Sequence, residues 1–558
     1  MRALLSVCTF AIGLSAADPR AVSMHPFTGQ RGGVFHATIR GNNLKDAKAI
    51  WMENGPVRMT VESAETEVIP AGMPKPRNVL DVVRVRVETA RDAKPGRYSF
   101  RMVTPSGVSN SLALQITDSV VLAEPEGTHE TPETAVMVAQ APALYTGLIG
   151  KRGESDYYAF DAKAGETMTF QVLSGLPSIG APGGNANGFD PSIAIFEASG
   201  SWFDGKRLNR IAFNDEPLWV LGRLTDAYLV QSFAKTGRYY LRVEAFSGQG
   251  GADYGYQLKM MKGTVPQDLP TGKEGWDERS YTRPLRAERM NELAARGGKK
   301  QDQKSIETYR AMGKFSLPAT LEGAIAQPGE AHRAQFHVDG PQDIAIEVET
   351  PGIGPPLFNP VVRVVDAKGE EVVTNFFAGR GACTGALNKG LTAKLIYPLR
   401  NPGDYTVEIR ELTADNGEAG FKYRVQVRPQ VPHLGVVRID EDHINLAPGG
   451  AKTVRVTFDR EEDYRGAVAV SVEGLPEGVS ALAAADYEPD KDPPMYPGKR
   501  ERYVPRTERS VLAFSVADDA PLTELPKVVR VTVRPVMDGK PGVVIASKQI
   551  PMMVVAKP

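Results

Sequence analysis

Short segments in which apolar and polar residues alternate recur along the whole chain. Examples are VVRVRVET from Val82, YYLRVEAF from Tyr239, IAIEVET from Ile344 and VVRVTVRPV from Val528. Alternation with a period of two places one face of a strand on a core and leaves the other face in water. Many such strands separated by turn residues predict an all-β chain of serial β-sandwich domains, jelly-roll-like and immunoglobulin-like.

Composition and length agree with this prediction. The chain has 558 residues, of which 55 are glycine and 42 are proline, as expected for many strands joined by turns. This length predicts three or four domains. The formal net charge of -1 provides no overall field for an anionic polymer. We therefore predict no nucleic-acid partner.

The N-terminal segment MRALLSVCTFAIGLSAADPR has the pattern of a secretory signal peptide. Arg2 is followed by an apolar run and then by small residues, which predicts a signal peptide over residues 1–17 with cleavage near Ala16-Ala17. A buried N-terminal strand or helix is the alternative. The apolar run is shorter than the roughly 20 residues that span a bilayer, and no later run is longer, so no membrane span is predicted. The expected location is extracellular or periplasmic.

After cleavage, Cys383 is the only cysteine. A single thiol forms no intrachain disulfide, so the domains must be stabilised by packing. The neighbouring sequence GRGACTGAL contains no histidine. A small buried residue is therefore favoured over a catalytic thiol.

One pattern occurs twice in the chain. Gly147 corresponds to Gly323 and Phe160 to Phe336, and both pairs are 176 positions apart. Further matching phrases follow in the same order. They are DPSIAIFEASG with NPVVRVVDAKG, KTGRYYLRVE with NPGDYTVEIR, and YGYQLKM with FKYRVQV. The repeat predicts a duplicated domain at residues 119–262 and 316–430, with chance similarity of strand-rich sequence as the alternative.

The retained positions of the repeat are glycines, prolines and strand residues. Tyr239 and Tyr405 each follow a turn glycine by two residues, which predicts a tyrosine corner in each copy. Polar positions change, because Asp156 corresponds to His332 and Asp190 to Asn359. The expectation is that the fold is repeated and that a polar site is not.

The remaining segments complete the predicted domains. Residues 20–118 and 433–558 are predicted as immunoglobulin-like sandwiches. Residues 263–315 are predicted as a linker with one short helix, in which Pro284 lies in the first turn and Met290, Leu293 and Ala294 share a face.

Two units resemble known families. The first, with HPFTGQRGGVFHATIRGNNL and PGRYSFRMVTPSGVSN at its ends, resembles the bacterial IPT/TIG immunoglobulin-like family. The second resembles the bacterial pre-peptidase C-terminal domain family through ETPETA, GLIGKRGESDYYAFDAKAGETMTFQV and FAKTGRYYLRVEAFSGQGGADYGYQL. The third unit matches that family more weakly. The resemblance implies a jelly-roll-like accessory module of the kind appended to secreted peptidases.

A branch related to that family binds collagen and carries calcium at an acidic run before its first strand. The resemblance therefore implies Glu124, Glu126, Glu130 and Asp156 as calcium candidates, since calcium needs six to eight oxygen ligands. Residues 127–129 read Gly-Thr-His where the family has a Glu-Pro-Asn ligand phrase. A solvated acidic linker is the alternative. No other cofactor is predicted.

Four aromatic residues of the second unit are candidates for a platform that stacks on sugars or extended peptides. They are Tyr157, Tyr158, Trp202 and Trp219. Alternation places Tyr158 and Phe160 on the core face and Tyr157 on the opposite face. Tyr157 is therefore the predicted ligand-binding residue, and ordinary packing is the alternative.

Motifs of the common hydrolases are absent from the sequence. The chain has neither H-E-x-x-H, nor G-x-S-x-G, nor the phosphate-binding P-loop sequence. We predict a secreted, non-catalytic binding or scaffolding protein whose partner is a protein or polysaccharide. The alternatives are a secreted hydrolase, or its accessory subunit, and a purely structural spacer.

Overall fold

All regular elements of the computed structural model are β-strands within the residues it describes. The fold class predicted from the alternating pattern is therefore confirmed. The structure describes residues 18–52, 55–68, 79–174, 189–199, 207–215, 226–265, 283–284, 306–350, 358–380, 387–412, 414, 417–483, 503, 505–537 and 539–557. The predicted signal peptide, Trp202, Trp219 and Cys383 lie outside these residues.

Two sheets form the first sandwich, in the orders β1-β3-β6-β5 and β2-β9-β7-β4, with β8 paired to β7. Ile39, Val83, Phe100 and Leu114 pack between them. The strands are β1 (Arg20–His25), β2 (Thr28–Gln30), β3 (Val34–Asn42), β4 (Ala49–Met52), β5 (Val57–Thr66), β6 (Asp81–Thr89), β7 (Gly96–Thr104), β8 (Gly107–Val108) and β9 (Leu112–Thr117).

The second sandwich has the sheets β10-β12-β19-β14-β17 and β11-β13-β18-β15-β16. Its core is rich in aromatic rings, including Tyr158, Phe160 and Phe170. The strands are β10 (Val121–Ala123), β11 (Val136–Met137), β12 (Ala143–Leu148), β13 (Ser155–Ala162), β14 (Thr167–Ser174), β15 (Pro191–Ser199), β16 (Arg207–Asn214), β17 (Tyr228–Ser232), β18 (Gly237–Ala245) and β19 (Gly255–Lys262).

The third sandwich has the sheets β21-β23-β30-β25-β26 and β22-β31-β24-β29, with a small sheet β20-β28-β27 beside them. Phe336, Val362 and Val425 lie in its core. The strands are β20 (Arg283–Pro284), β21 (Thr308–Phe315), β22 (Ala319–Ala324), β23 (Glu330–Val338), β24 (Gln342–Glu349), β25 (Pro360–Val365), β26 (Glu371–Thr374), β27 (Phe376–Arg380), β28 (Leu387–Leu391), β29 (Lys394–Leu399), β30 (Gly403–Glu411) and β31 (Lys422–Pro429).

The fourth sandwich has the sheets β32-β34-β37-β36 and β33-β40-β38-β35, with β39 paired to β38. Phe458, Phe514 and Val531 lie between them. The strands are β32 (His433–Ile439), β33 (Ile444–Leu446), β34 (Ala451–Glu461), β35 (Val468–Glu473), β36 (Val479–Ala483), β37 (Arg506–Val516), β38 (Lys527–Met537), β39 (Lys540–Pro541) and β40 (Ala546–Val554).

The second and third sandwiches share one topology, as the predicted duplication requires. The sheet path β12-β19-β14-β17 corresponds to β22-β31-β24-β29, and β11-β13-β18-β15-β16 corresponds to β21-β23-β30-β25-β26. In both copies the strand at one end of the second path is parallel to its neighbour. The same strand order therefore occurs in both domains.

The predicted tyrosine corners are confirmed. The Tyr239 hydroxyl donates to the carbonyl of the residue four positions earlier at 2.7 Å, and that of Tyr405 does the same at 2.8 Å. Tyr98 of the first sandwich makes the same bond at 2.6 Å. This third corner was not predicted, although Gly96 precedes Tyr98 by the same two residues.

The predicted linker helix is wrong at its first turn. Arg283 and Pro284 form β20, which pairs antiparallel with Leu391 and Gly390 of β28. The proline can join this pairing because a terminal strand needs no further donor on its outer side. Met290, Leu293 and Ala294 lie outside the described residues. Strand β21 lies within the predicted linker segment and pairs with β23.

The first sandwich contacts the second through side chains of β1, β2 and β3. Thr28 donates to the side-chain oxygen of Gln257 at 2.5 Å, and both residues are buried. Arg40 and Ser23 both bond to the carboxylate of Asp253. The two domains are thus joined by polar contacts between side chains that are mostly buried or half-buried.

The first sandwich also contacts the fourth. The Asn445 side-chain amide accepts from the Val108 backbone N–H at 2.9 Å and donates to the Val108 carbonyl at 2.9 Å. Arg101 forms an ion pair with Asp442 at 3.1 Å. An apolar cluster shields these bonds, and its members are Val103, Val108, Met553 and Val555, with Ala49 and Trp51 packed against them. We call this contact the clasp.

The fourth sandwich contacts the third through a buried carboxylate. Glu462 accepts bonds from Arg428 at 2.6 and 2.8 Å and forms an ion pair with Lys394 at 2.7 Å. Burial raises the pKa of Glu462, but the bonds from Arg428 and Lys394 outweigh it and hold the pKa at about 2. These contacts place the domains in space in the order second, first, fourth, third.

We expect Asn445→Asp to open the clasp without unfolding the domains. The carboxylate no longer donates to the Val108 carbonyl, and it faces Asp18, whose carboxylate now accepts from Asn445 at 3.2 Å. A lost bond and a partly buried like-charge contact cost on the order of 2 kcal/mol. Small-angle scattering should show a larger radius of gyration with an unchanged circular dichroism spectrum. Ser480→Ala, an exposed change in the same domain, should leave both unchanged, and an unaltered radius in Asn445→Asp would contradict the role of the clasp.

Candidate ionisable cavity between the first two sandwiches

A cavity of about 350 Å³ lies where the first sandwich meets the second. It is lined by the end of β1, the segment after β10, and parts of β12 and β13. Three of its six side chains that can ionise come from the acidic run that follows β10. The ionisable lining residues are His25, Glu124, Glu126, His129, Glu154 and Asp156.

Asp156 occupies a position where the strand pattern places core residues. It lies on β13 with Tyr158 and Phe160 on the same face, and it is 2% exposed. Its carboxyl group accepts from the Tyr256 hydroxyl at 2.7 Å, and that hydroxyl lies 2.9 Å from the Tyr158 hydroxyl. A chain of hydroxyl groups therefore partners the buried acid, as buried polar groups require.

Gly147 of β12 makes this arrangement possible. A Cβ atom at this position would collide with the Tyr256 hydroxyl and lie 2.8 Å from a carboxylate oxygen of Glu124. In the third sandwich, a Cβ atom on Gly323 would lie 2.6 Å from the Tyr423 hydroxyl. The glycine that the repeat retains is thus required by the close approach of a tyrosine.

The third sandwich keeps a polar group at the position of Asp156. His332 is buried, and its Nδ1 lies 2.6 Å from the Tyr423 hydroxyl. Its Nε2 lies 2.9 Å from a carboxylate oxygen of Glu330. The expectation that polar positions are free to change is therefore too simple: the residue type changes, while a buried polar group bonded to the same tyrosine remains.

Burial controls the ionisation of the two acids in the cavity. Loss of solvation, together with the nearby Glu124, raises the pKa of Asp156 to about 8. Loss of solvation raises the pKa of Glu124 to about 7 even though the Leu148 backbone N–H donates to it at 3.3 Å. Both carboxyl groups consequently hold protons at pH values where ordinary acids are ionised. Burial also lowers the pKa of His25 to about 4.

His129 is the cation beside these acids. Its Nε2 lies 2.7 Å from the Pro125 carbonyl oxygen and its Nδ1 3.1 Å from the Thr134 carbonyl oxygen. Both partners are acceptors, so satisfying both requires the doubly protonated ring. Burial lowers the pKa of His129, but these bonds, joined by the charges of Glu124 and Asp156 once they ionise, raise it overall.

The structure brings together three of the four calcium candidates. Glu124, Glu126 and Asp156 line the cavity, whereas Glu130 forms an ion pair with Lys151 at 2.5 Å. Among the described residues, no group of three or more histidine, cysteine, aspartate or glutamate side chains is arranged to hold a metal ion. Two carbonyl groups of the acidic run bond to His129 instead. This arrangement does not fit the ligand shell that calcium needs.

Tyr157 lies away from the cavity. Its side chain is on the outer face of its sheet, half-buried, with its ring 6.3 Å from that of Phe196. The outward orientation predicted from alternation is therefore correct. Tyr158, the other described member of the predicted aromatic platform, lies in the core. Trp202 and Trp219 lie outside the described residues.

Part of the cavity could not be found from the local sequence. His25 comes from the first sandwich, more than a hundred positions from Asp156, and reaches the second sandwich because Gly255 leaves room for its ring. Glu154 could have been found, since it lies two residues before Asp156 at the start of β13.

No protein-family model and no curated protein sequence matches the chain. Among solved structures, the pre-peptidase C-terminal domain of a collagenase from Bacillus anthracis is similar at 14% identity over 22% of this chain and 98% of that chain, with a TM-score of 0.15. SGBP-B of the mixed-linkage glucan utilization locus of Bacteroides ovatus, in complex with a mixed-linkage heptasaccharide, is similar at 10% identity over 74% of each chain, with a TM-score of 0.15.

The surface layer protein SbsC, domains 1-6, is similar at 10% identity over 97% of this chain and 55% of that chain, with a TM-score of 0.15. Similarity at this level carries no argument about function. The predicted resemblance of the second unit to pre-peptidase C-terminal domains is confirmed in part. The predicted resemblance of the first unit to IPT/TIG domains stays a prediction. Within the described residues, no helix is long and apolar enough to cross a membrane.

We expect Asp156→Asn to stabilise the protein increasingly as pH rises from about 4 to about 8. In this window the folded state keeps a proton on Asp156, whereas the unfolded state releases it, so rising pH destabilises the fold. Asparagine cannot ionise and still accepts from Tyr256. The expected gain in the free energy of unfolding is about 1.4 kcal/mol for each unit by which folding raises the pKa. Denaturant unfolding at pH 5 and pH 8 measures it.

Asp161→Asn is the matched control on the same strand. Asp161 is exposed, and its bonds from Arg238 lower its pKa, so its stabilising effect is present above the ordinary aspartate pKa and is lost as pH falls. This variant should show no gain at pH 8. An equal gain from both substitutions, or a gain from Asp156→Asn that does not depend on pH, would show that the buried proton is absent.

Proposed function

We propose that the protein is a secreted, non-catalytic multidomain protein that binds a protein or polysaccharide at the cell envelope or outside the cell. The observation that carries the proposal is the joining of the sandwiches by buried polar contacts. Asn445 joins the first to the fourth, and Glu462 joins the fourth to the third. Serial domains on free linkers would not need such joints.

Fixed contacts between the domains favour a binding surface that extends across several domains. When the surfaces that contact a partner are already held in place, less conformational entropy is lost on association. Sheet faces and strand edges at fixed spacing suit a long polymer or an assembled surface better than a small molecule. Secretion rests on the signal-peptide pattern of residues 1–17.

The cavity supports a second candidate, a secreted hydrolase. A carboxyl group that keeps its proton near neutral pH is suited to general-acid catalysis of glycoside hydrolysis. Glu124 is the better donor of the two acids, because it is only partly buried, whereas Asp156 is enclosed and bonded to Tyr256. The residues that would bind a substrate there are few, and His129 is engaged with backbone carbonyls.

The two candidates are separated by measuring binding and turnover on the same ligands. We expect the purified protein to bind one or more envelope fractions or polysaccharides in a saturable manner, with no release of reducing ends or peptides. Release of products that Glu124→Gln abolishes and Glu126→Gln does not would establish the hydrolase. Binding to none of the ligands, with an extended particle in solution, would establish a structural spacer.

A further inference from the structure

The sheet β11-β13-β18-β15-β16 has one face toward the core and one face outward. The strand register places Tyr157 beside Arg242, Ala194 and Phe213 in one row across the outward face. The next row holds Ala159, Tyr240, Phe196 and Arg210. We call the outward set Tyr157, Phe196, Arg210, Phe213, Tyr240 and Arg242 the aromatic face.

Rings and guanidinium groups of the aromatic face are packed on one another. The guanidinium of Arg242 lies 5.3 Å from the centre of the Phe196 ring, and that of Arg210 lies 5.2 Å from the centre of the Phe213 ring. Phe213 is 38% exposed. Phe196 is only 9% exposed beneath Arg242, so of these two rings the one that is open to a ligand is Phe213, with a cationic group beside it.

The third sandwich shows which aromatic residues the fold itself needs. Four core rings are kept in both copies, although others are not, since Tyr158 corresponds to Ala334. On the outward face, each aromatic position is replaced. The kept pairs are Phe160 with Phe336, Phe189 with Phe358, Tyr239 with Tyr405, and Tyr256 with Tyr423. At positions matched by register, Tyr157, Phe196, Phe213 and Tyr240 become Arg333, Val365, Thr374 and Thr406. The same topology therefore forms without the outward rings.

On the corresponding face of the third sandwich, charged side chains pair with one another. Glu408 is fully buried and forms ion pairs with Arg333 at 2.8 Å and with Arg363 at 2.6 Å. Tyr309 of β21 covers Arg333 at 3.5 Å from the ring centre. In the second sandwich the equivalent edge strand, β11, has only two residues. Its aromatic face has no such cover from that strand.

Side chains alone can recognise a ligand on this face. Strands β13, β18 and β15 each pair with a neighbour on both sides, so their backbone groups are already bonded. An extended peptide lying across these three strands would find no free backbone there, since the unpaired edges of the described sheet lie at its ends, on β11 and β16. Sugar rings can stack on aromatic rings and need no backbone partner.

The charges of the face select the kind of sugar. Arg238, at the border of the face, already holds Asp161 through two bonds of 2.5 and 3.1 Å. Arg210 has no carboxylate partner among the described residues, and its guanidinium lies on Phe213. A planar guanidinium binds a carboxylate with two parallel bonds. A sugar that carries a carboxylate can stack its ring on an aromatic side chain of the face and bond to the Arg210 guanidinium.

We propose that the aromatic face binds a polysaccharide that contains uronate units, through ring stacking on Phe213, Tyr157 and Tyr240 and a carboxylate contact to Arg210. The inference rests on the proposed binding function and names its site and ligand class.

Polygalacturonate is the probe, with dextran as the neutral polymer and poly-glutamate as the acidic peptide. We expect the purified protein to bind polygalacturonate more tightly than the other two in titration calorimetry. Phe213→Thr introduces the residue of the third sandwich, and Arg210→Gln removes the cation. Each should weaken binding by about tenfold or more, as the loss of one stacking or bidentate contact predicts. Because both side chains are exposed, the unfolding midpoint should not change.

Tyr309→Thr, an exposed aromatic of the third sandwich, is the matched control and should bind like the parent protein. Equal binding by Phe213→Thr, Arg210→Gln and the parent would overturn the proposal, as would equal affinity for dextran or binding to poly-glutamate alone. If the protein binds another envelope ligand and these variants do not affect it, the proposed function stands and this site falls. If it binds nothing, both fall.

Discussion

Asn445 presents both a donor and an acceptor to the backbone of Val108, as a neighbouring strand would, and so joins the first sandwich to the last. Gly107 is required there, because a Cβ atom on it would collide with the Asn445 amide. The apolar cluster around Val103 and Met553 keeps water from these bonds, which strengthens them. This contact makes the first and fourth sandwiches neighbours and leaves the duplicated pair on the outside.

Much of the fold could be predicted from the sequence, because it depends on local patterns. Alternation fixes which side of each strand is buried, and the glycine two residues before Tyr239 and Tyr405 marks a turn followed by a corner hydroxyl. The corner at Tyr98 carried the same signal. Contacts between domains carried none, since Val108 and Asn445 are 337 positions apart and the phrase that contains Val108 does not indicate a partner. The helix at Pro284 failed because the pairing with β28 outweighs local helix preference.

The candidate site was predicted in part of its membership and not in its chemistry. An acidic run that contains Glu124 and a later strand that carries Asp156 bring carboxylates together, and the sequence shows both. Whether those groups ionise depends on the space that Gly147 leaves for Tyr256 and on the contact with His25 of another domain. The change from Asp156 to His332 looked like loss of a site, yet both side chains bond the equivalent tyrosine. Residue type alone does not reveal a retained partner.

The clasp also changes what the covalent connection between the second and third sandwiches has to do. The first two sandwiches adhere through Thr28 and Gln257, the last two through Glu462, and the two pairs through Asn445 and Val108. Peptide continuity across residues 263–307 is therefore not what keeps the halves of the molecule in register. Two polypeptides divided in that segment would be complementary fragments, able to reassemble by the same surfaces that hold the intact protein together.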